Sequence, residues 1–335
     1  LTRDPLSPAT LAALATAERE IGMGGHSAGL AFDIVAMGEP MYEFNQRKGA
    51  GPRDWLGGFG GDASNTAIAA ARLGARVAFV TGLGDDAFGT AFRELWTAEG
   101  VDHSAVKTDP AAHTGVYFVT HGPEGHAFSY LRAGSAASRI APADVPHELI
   151  RGARVLHASA ISQAISASAC DAVFAAIDTA RASGVAVSYD TNLRLRLWPL
   201  DRARAIIEAT AALSDILLPG LDDARLLTGL EAPDAIADHY LAKGVKIVAL
   251  TMGKDGALIA TPERREIVAP IKVAAVDATG AGDAFDGGFL VEWLASGDAF
   301  SAGRFANVAA GLSTEGYGAV DPLPRRAAVE ARLAR

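Results

Sequence analysis

Near its C-terminal end the chain reads Val276-Asp277-Ala278-Thr279-Gly280-Ala281-Gly282-Asp283-Ala284-Phe285-Asp286-Gly287-Gly288-Phe289. The apolar run before it (Ile271, Val273, Val276) reads as a strand end, and Phe285, Phe289, Leu290, Trp293 and Leu294 recur at helical spacing. Gly280 and Gly282 let the backbone take positive φ and come close to a ligand. The start of the following helix offers unpaired N–H groups and the positive end of its dipole, which suit a phosphate. Asp283 sits in this anion-binding turn. A carboxylate beside a transferring phosphoryl group repels it, so its use there is to take a proton from an attacking hydroxyl. The competing reading is that Thr279 and Asp283 cap the helix.

Upstream, strand-like runs at 34–37, 76–81, 155–157, 185–189, 215–218 and 245–250 alternate with helix-like segments at 67–73, 87–99, 166–183, 201–213 and 221–227. Residues 257–260 and 266–268 read as an antiparallel pair, and a last helix is predicted over 299–314. This repetition predicts an α/β fold, a doubly wound and mostly parallel sheet with helices on both faces. Two stretches break the pattern. Residues 41–58 lack a clear period and read as short strands and turns over the site. Residues 114–120 and 126–132 alternate around Gly122-Pro123-Glu124-Gly125, a β-hairpin that leaves the main sheet as a small lid. Residues 1–30 stand apart as an extension with no assigned role. They contain Gly25-His26-Ser27-Ala28-Gly29, a literal match to the nucleophile elbow of serine hydrolases, but the elbow needs a strand before and a helix after, and here that order is inverted.

The bulk properties narrow the function. With 335 residues, 50% of them hydrophobic and 21% charged, the chain has the composition of a globular enzyme. A net charge of -9 argues against nucleic acid and anionic membrane as partners and favours a small molecule. A single cysteine, Cys170, forms no internal disulfide, which suits a reducing cytoplasm. No apolar run reaches transmembrane length, and the N-terminus lacks the basic and apolar regions of a signal peptide. The histidines show no metal-ligand spacing, and the Walker lysine motif and the Rossmann glycine fingerprint are both absent.

Polar residues collect at predicted strand ends and on the hairpin. In Phe59-Gly60-Gly61-Asp62-Ala63-Ser64-Asn65, Asp62 and Asn65 offer an acceptor and a donor to a sugar, or else act as helix caps along with Ser64. Asp190-Thr191-Asn192-Leu193-Arg194 is dense in Asp, Asn and Arg where open parallel sheets hold their ligands. Tyr117, Tyr130 and Arg132 fall on the hairpin, where a guanidinium pairs bidentately with a substrate carboxylate or is simply a surface arginine.

Taken together, these residues resemble the ribokinase-like (PfkB-type) sugar kinases over about residues 33–325. Gly60-Gly61 with Asn65 and Ala67 carries the match early, and Asp277-x-Thr279-Gly280-Ala281-Gly282-Asp283 carries it late. The resemblance implies a single kinase domain over 31–335, with lid strands from about 40–59 and 112–134 and a homodimer formed through the lid. It also implies ATP with Mg²⁺, and allows a monovalent cation. Asp283 would be the base, with the backbone amides of Gly280, Ala281, Gly282 and Asp283 as the anion hole. Gly253 and Gly256 would lie by the nucleotide phosphates, with Asn192, Thr251 and Thr279 also on the nucleotide side and Asn307 and Ala310 near the adenine.

Within the family the pattern is most similar to the 2-keto-3-deoxygluconate kinases. The similarity rests on Gly38-Glu39, Gly60-Gly61-Asp62, Thr114-Gly115-Val116-Tyr117, Tyr130-x-Arg132-x-Gly134-Ser135-Ala136, Asp190-x-Asn192-x-Arg194 and Leu197-Trp198. It implies a sugar acid as substrate, with Arg132 and Arg194 meeting the carboxylate, Tyr117 and Tyr130 lining the pocket, and Gly60, Gly61, Asp62 and Asn65 beside the sugar. Two departures stand out. Gly220 occupies the Asn position of the family's Asn-x-x-Glu motif and Asp223 the Glu position, where a shorter carboxylate still acts on Mg²⁺ through water. Leu193 replaces the usual tyrosine of Asp-x-Asn-Tyr-Arg. The alternatives are a kinase of a neutral sugar such as fructose or ribose, which has less use for the two arginines, and a non-catalytic sugar sensor, which has no need of Asp283.

Overall fold

The computed structural model describes residues 30–47, 51, 53–122 and 125–334. The reading of residues 1–29, including the Ser27 motif, lies outside them. A nine-stranded sheet runs in the order Arg265–Val268, Ala257–Ala260, Ile247–Thr251, Ile216–Leu218, Ala186–Asp190, Ala153–Ser159, Phe32–Met37, Val77–Val80 and Val101–Asp102. Its strands are parallel except for the antiparallel pair at the Arg265–Val268 edge, as the alternation predicts.

Helices cover both faces, so the central strands are buried on both sides rather than alternately, and Phe32–Met37 is apolar from Ile34 onward. Ile34 and Ala36 pack into one core with Ile68, Phe79, Phe285 and Phe289. Their neighbours Val35 and Met37 pack into another with Leu156, Ala172 and Ile177. From Phe32–Met37 the chain proceeds to Val77–Val80 on one side and later returns to Ala153–Ser159 on the other. That reversal opens a crevice at the C-terminal ends of the two central strands.

A separate four-stranded sheet, in the order Trp55–Gly60, Met41–Gln46, Gly115–Gly122 and Gly125–Leu131, forms the lid. Residues 41–58, aperiodic in sequence, supply two of its strands. The glycines of Trp55–Gly60 remove the side-chain alternation that would have revealed that strand. One face of the lid (Tyr42, Phe44, Phe59, Phe118) packs on Phe88 and Phe92 of the Ala87–Glu99 helix. The other carries Glu43, Tyr117 and Tyr130 in register, with Asn45, Val119 and Phe128 beside them. Asp86 anchors the root of the hairpin, accepting from Gly89 N of its own helix at 2.7 Å and from Thr114 N at 2.8 Å.

One local expectation is corrected and two competing capping readings are set aside. Ile271, Val273 and Val276 form no strand: residues 269–275 run without a sheet partner. Ile271 packs where Gly311 leaves room, its Cγ1 2.6 Å from the position of a Cβ there. Val276 and Asp277 instead donate their N–H groups to the Thr314 carbonyl at 2.7 and 3.1 Å. The early helix spans Asp62–Arg72 with Gly61 as its cap and no side-chain capping bond, so neither Asp62 nor Ser64 caps it. The Ala281–Ser296 helix is likewise capped by Gly280, not by Thr279 or Asp283. No described helix is long and apolar enough to cross a membrane. Cys170 is buried in the Ala167–Ala182 helix.

Candidate active site

The site is built where the helices Asp62–Arg72 and Ala281–Ser296 touch. Gly287 permits the contact: a Cβ there would lie 2.8 Å from Ala69 Cβ and 2.9 Å from the Thr66 carbonyl. At this distance Asn65 Nδ2 donates to Asp283 Oδ2 at 2.7 Å. Gly60 ends the lid strand, and Gly61 turns at φ 107° into the helix, where a Cβ would fall 2.4 Å from the Glu39 carbonyl oxygen. Only glycine fits that turn.

Asp283 shares its recess with three further carboxylates, Asp62, Asp190 and Asp286. Asp62 accepts a hydrogen bond from Ser159 Oγ at the end of its strand. Burial and the charge of Asp62 push Asp283 up to about 7, against the opposing pull of Asn65 and Arg194. Burial likewise pushes Asp190 up to about 8, with Asp283 and Asp62 adding to the effect and the Asn192 N–H opposing it. Asp286, one turn beyond Asp283, is pushed well above the carboxylate range by burial and then by Asp190, Asp283 and Asp62. A carboxylate poised near neutrality suits a general base.

The turn before Asp283 has the geometry of an anion cradle. Gly280 is left-handed at φ 75°, and a Cβ at Gly282 would meet nothing within 4 Å. Among the described residues the N–H groups of Gly280, Gly282 and Asp283 have no protein partner, while Ala281 donates to the Ala278 carbonyl at 3.2 Å. That is narrower than the expected run of free amides, because the turn closes on itself before the helix begins. Asp277 fastens the turn, accepting from Thr279 N at 3.0 Å, from Thr279 Oγ1 at 2.7 Å and from Gly318 N at 3.0 Å. The open cradle of glycine backbone at a 16-residue helix start fits a phosphoryl group.

On the lid, Tyr117 and Tyr130 stack with ring centroids 6.1 Å apart, and Tyr117 OH donates to Glu43. Arg132 is already engaged: Nε donates to Glu39 Oε2 at 2.8 Å and Nη2 donates to the same oxygen. Among the described residues its Nη1 has no protein partner. Arg194 is freer. Its side chain is 50% exposed, 3.9 Å from Asp223 Oδ2, with Nη1 donating to the Leu193 carbonyl at 3.0 Å. The 190–194 loop is pinned at both ends, by Asn192 N to Asp190 Oδ1 at 3.0 Å and by Leu193 N to Asp223 Oδ2 at 2.9 Å. Leu193 is buried in the core with Trp198 and Tyr240, so its side chain serves packing rather than the site.

Of the residues expected on the nucleotide side, Thr279 lies in the cradle turn and Asn192 in the 190–194 loop, while the others lie toward the Arg265–Val268 half of the sheet. Thr251 lies beside Gly220, to which it is bridged, and Gly253 and Gly256 flank the following turn at φ 57° and 90°. Asn307 and Ala310 lie one turn apart on the Ala299–Ser313 helix, and Asn307 Nδ2 donates to the Ala269 carbonyl at 2.8 Å. Asp223 Oδ2 is committed to Leu193, which leaves Oδ1 as the oxygen that could face a hydrated Mg²⁺. Among the described residues no group of three or more His, Cys, Asp or Glu side chains is placed to hold a metal ion directly. A cavity of about 530 Å³ lies between the lid (Glu43, His121, Phe128) and Asp277, Thr279 and Asp321, beside the cradle.

Sequence reading gave no individual role to Asp190, Asp286, Glu39 or Ser159, although Asp190 stood in the polar strand-end cluster and Glu39 in the family pattern. Asp190 carried a signal, as the carboxylate that ends the Ala186–Asp190 strand. Asp286 carried a weaker one, an acidic residue at i+3 from Asp283 on an otherwise apolar face. Ser159 and Glu39 matter through partners distant in the chain, which no local pattern reveals.

The pfkB family carbohydrate kinases match this chain over residues 32–326. It is 35% identical to the 2-dehydro-3-deoxygluconokinase of Thermoproteus tenax, across 93% of this chain and 98% of that protein. It is 34% identical to fructokinase-2 of Solanum habrochaites, across 80% of this chain and 83% of that one. The crystal structure of a Vibrio cholerae fructokinase in its fructose-, ADP- and calcium-bound form superposes with a TM-score of 0.81 at 30% identity, covering 90% of this chain and 99% of that one.

Proposed function

Since the chain belongs to the pfkB family of carbohydrate kinases, we propose that it uses ATP to phosphorylate the terminal hydroxyl of a sugar acid, 2-keto-3-deoxygluconate. One observation carries the choice of an acid. Four carboxylates crowd the recess, and Arg194 is the loosely held guanidinium whose charge reaches two of them, Asp190 and Asp283. An anionic sugar entering that field needs a cation to meet it. The similarity to the Thermoproteus tenax enzyme supports the same reading, and the similarity to fructokinases keeps a neutral sugar as the alternative.

ATP supplies the transferable phosphoryl group, with Mg²⁺ offsetting its charge. The chain does the rest. Asp283 takes the hydroxyl proton at Oδ1, because Asn65 occupies Oδ2. The N–H groups of Gly280, Gly282 and Asp283, at the positive end of the helix dipole, stabilise negative charge in the cradle. Asp62, Asn65, Tyr117 and Tyr130 line the sugar, with Gly60 and Gly61 giving it room. Gly253, Gly256, Thr251, Thr279 and Asn192 face the nucleotide, Asn307 and Ala310 its base, and Asp223 the hydrated cation. The lid closes over the sugar and excludes water. Leu131, 61% exposed on the lid's edge strand, suits a homodimer formed through the lid. The negative charge and lone buried cysteine fit a cytoplasmic enzyme of small molecules.

The test is ATP consumption with Mg²⁺ against 2-keto-3-deoxygluconate, 2-keto-3-deoxygalactonate, fructose and ribose. Preference for a keto-deoxy acid supports the proposal. Preference for fructose or ribose overturns the acid and leaves the kinase in place.

A further inference from the structure

Four stretches of chain join the lid to the main sheet, at 38–40, 60–62, 113–115 and 132–136, and Glu39 meets every one of them. It belongs to the first. Its carbonyl oxygen lies 2.4 Å from where a Cβ on Gly61 would sit, and its Oε1 lies 2.9 Å from where a Cβ on Gly115 would sit. In the fourth stretch, Arg132 donates to Oε2 through Nε and Nη2, and Ser135 Oγ donates to Oε1. Glu39 is fully buried, and the Arg132 side chain is 11% exposed.

We propose that Glu39 is a positioning residue for the sugar, fixing the plane of the Arg132 guanidinium so that Nη1 remains as the donor the lid offers to the substrate. This rests on the reading above that Arg132 meets the sugar. A buried ion pair adds little net stability over well-packed apolar groups of the same size. What it adds is direction, because a planar guanidinium gripped along one side cannot swing. Gly115 leaves room for the Glu39 carboxylate, since a Cβ there would lie 2.9 Å from Oε1. Tyr130, whose ring centroid is 5.8 Å from Arg132 Cζ, flanks the guanidinium as well. The grip therefore also offsets the charge of Arg132, leaving Arg194, 3.9 Å from Asp223 Oδ2, as the more loosely paired cation.

The experiment is calorimetric binding of 2-keto-3-deoxygluconate and of fructose to the wild type, Glu39→Gln, Arg132→Ala, the double variant, Ser135→Ala and Arg132→Lys, with ATP affinity measured alongside. Glu39→Gln and Arg132→Ala should each weaken the sugar about tenfold. The double variant should be no weaker than Arg132→Ala alone, and ATP affinity should hold. Ser135→Ala, which removes a bond to Glu39 without touching Arg132, should stay within about twofold. An effect of Glu39→Gln that multiplies fully onto Arg132→Ala, or a Ser135→Ala loss equal to it, would make Glu39 a hinge strut only and overturn the proposal. If Glu39→Gln does not fold, Arg132→Lys decides: it keeps the charge but not the fork, and sugar affinity equal to wild type refutes the role of a fixed plane. Tight fructose binding with no affinity for the acid refutes the sugar-acid reading alone, and the coupling is then scored on fructose.

Discussion

Asn65 and Asp283 stand 218 residues apart in the chain, yet Asn65 Nδ2 donates a 2.7 Å hydrogen bond to Asp283 Oδ2. The bond joins the two helices that frame the crevice and divides the work of one carboxylate. One oxygen is held by the amide and the other is left for a proton. It also opposes burial and Asp62, which together push Asp283 up to about 7.

Removing the amide should therefore be visible in the pH profile. A base must be ionised to accept a proton, so turnover falls as pH drops through the pKa of Asp283. In Asn65→Leu the ionised form loses its hydrogen bond, and the acid limb of kcat should move up by about one pH unit. Asp62→Asn removes a like charge and should move the limb the other way. Profiles of kcat between pH 5 and 9 check both, and limbs that stay put would separate Asp283 from proton transfer.

Two glycines of the site should fail differently. Gly61→Ala forces a side chain into positive φ and against the Glu39 carbonyl, so it should cost about 1–3 kcal/mol of stability or more. Gly282→Ala meets no protein atom within 4 Å and takes no left-handed φ, so its thermal midpoint should stay near wild type. Its methyl instead enters the cradle, and activity should drop at least tenfold, on the order of one lost charge-stabilising contact. Thermal melts beside ATP kinetics distinguish the two, and a Gly282→Ala enzyme with full turnover would remove the cradle from the chemistry.

The parts of this molecule legible in sequence are those set by local chemistry. The Ala87–Glu99 helix shows both of its ends because Asp86 caps it and Gly100 stops it in the left-handed conformation. The cradle shows itself through Gly280, whose left-handed backbone favours glycine, and through Gly282, which leaves open space beside the helix start. The antiparallel edge of the main sheet and the lid hairpin are equally local. What stayed hidden depends on partners distant in the chain. The Trp55–Gly60 strand becomes a strand through its pairing with Met41–Gln46, and its glycines give no alternation to read. Ile271 looked like a strand residue because apolar side chains that pack on a helix and those that pack in a sheet are the same residues. Arg132 read as a surface arginine or a partner for a substrate carboxylate because Glu39, 93 residues earlier, announces no contact with it.

Stability should fall as pH rises from 6.5 to 8.5. An unfolded aspartate titrates near 4, whereas Asp283 is pushed to about 7 and Asp190 to about 8. The folded protein thus holds protons that the unfolded chain has released, and the stability tied to them falls from about pH 4 upward, the last of it lost as pH climbs through 7 and 8. Buried His157 works in the opposite sense, pushed down to about 4 by burial, and its contribution is lost only as pH falls below about 6.5. Thermal midpoints measured without ligand should decline across the upper window. Asp190→Asn should flatten the decline, and a midpoint that rises toward pH 8.5 would contradict the placement of these carboxylates.

Arg194 offers the sharpest separation between an acid and a neutral sugar. Its guanidinium is half exposed, and Asp223, 3.9 Å away, is tied to the Leu193 amide rather than paired closely with it. Arg194→Ala should therefore raise KM for 2-keto-3-deoxygluconate about tenfold to a hundredfold, the range of a charge-assisted hydrogen bond. KM for ATP and any turnover of fructose should change little. Asp223→Asn should raise the sugar-acid KM less, because it loosens the loop that carries Arg194 without removing the cation. The two KM values for each variant, measured with acid and with fructose, decide the matter. Equal losses on both sugars would mean that Arg194 holds the loop and does not read the carboxylate.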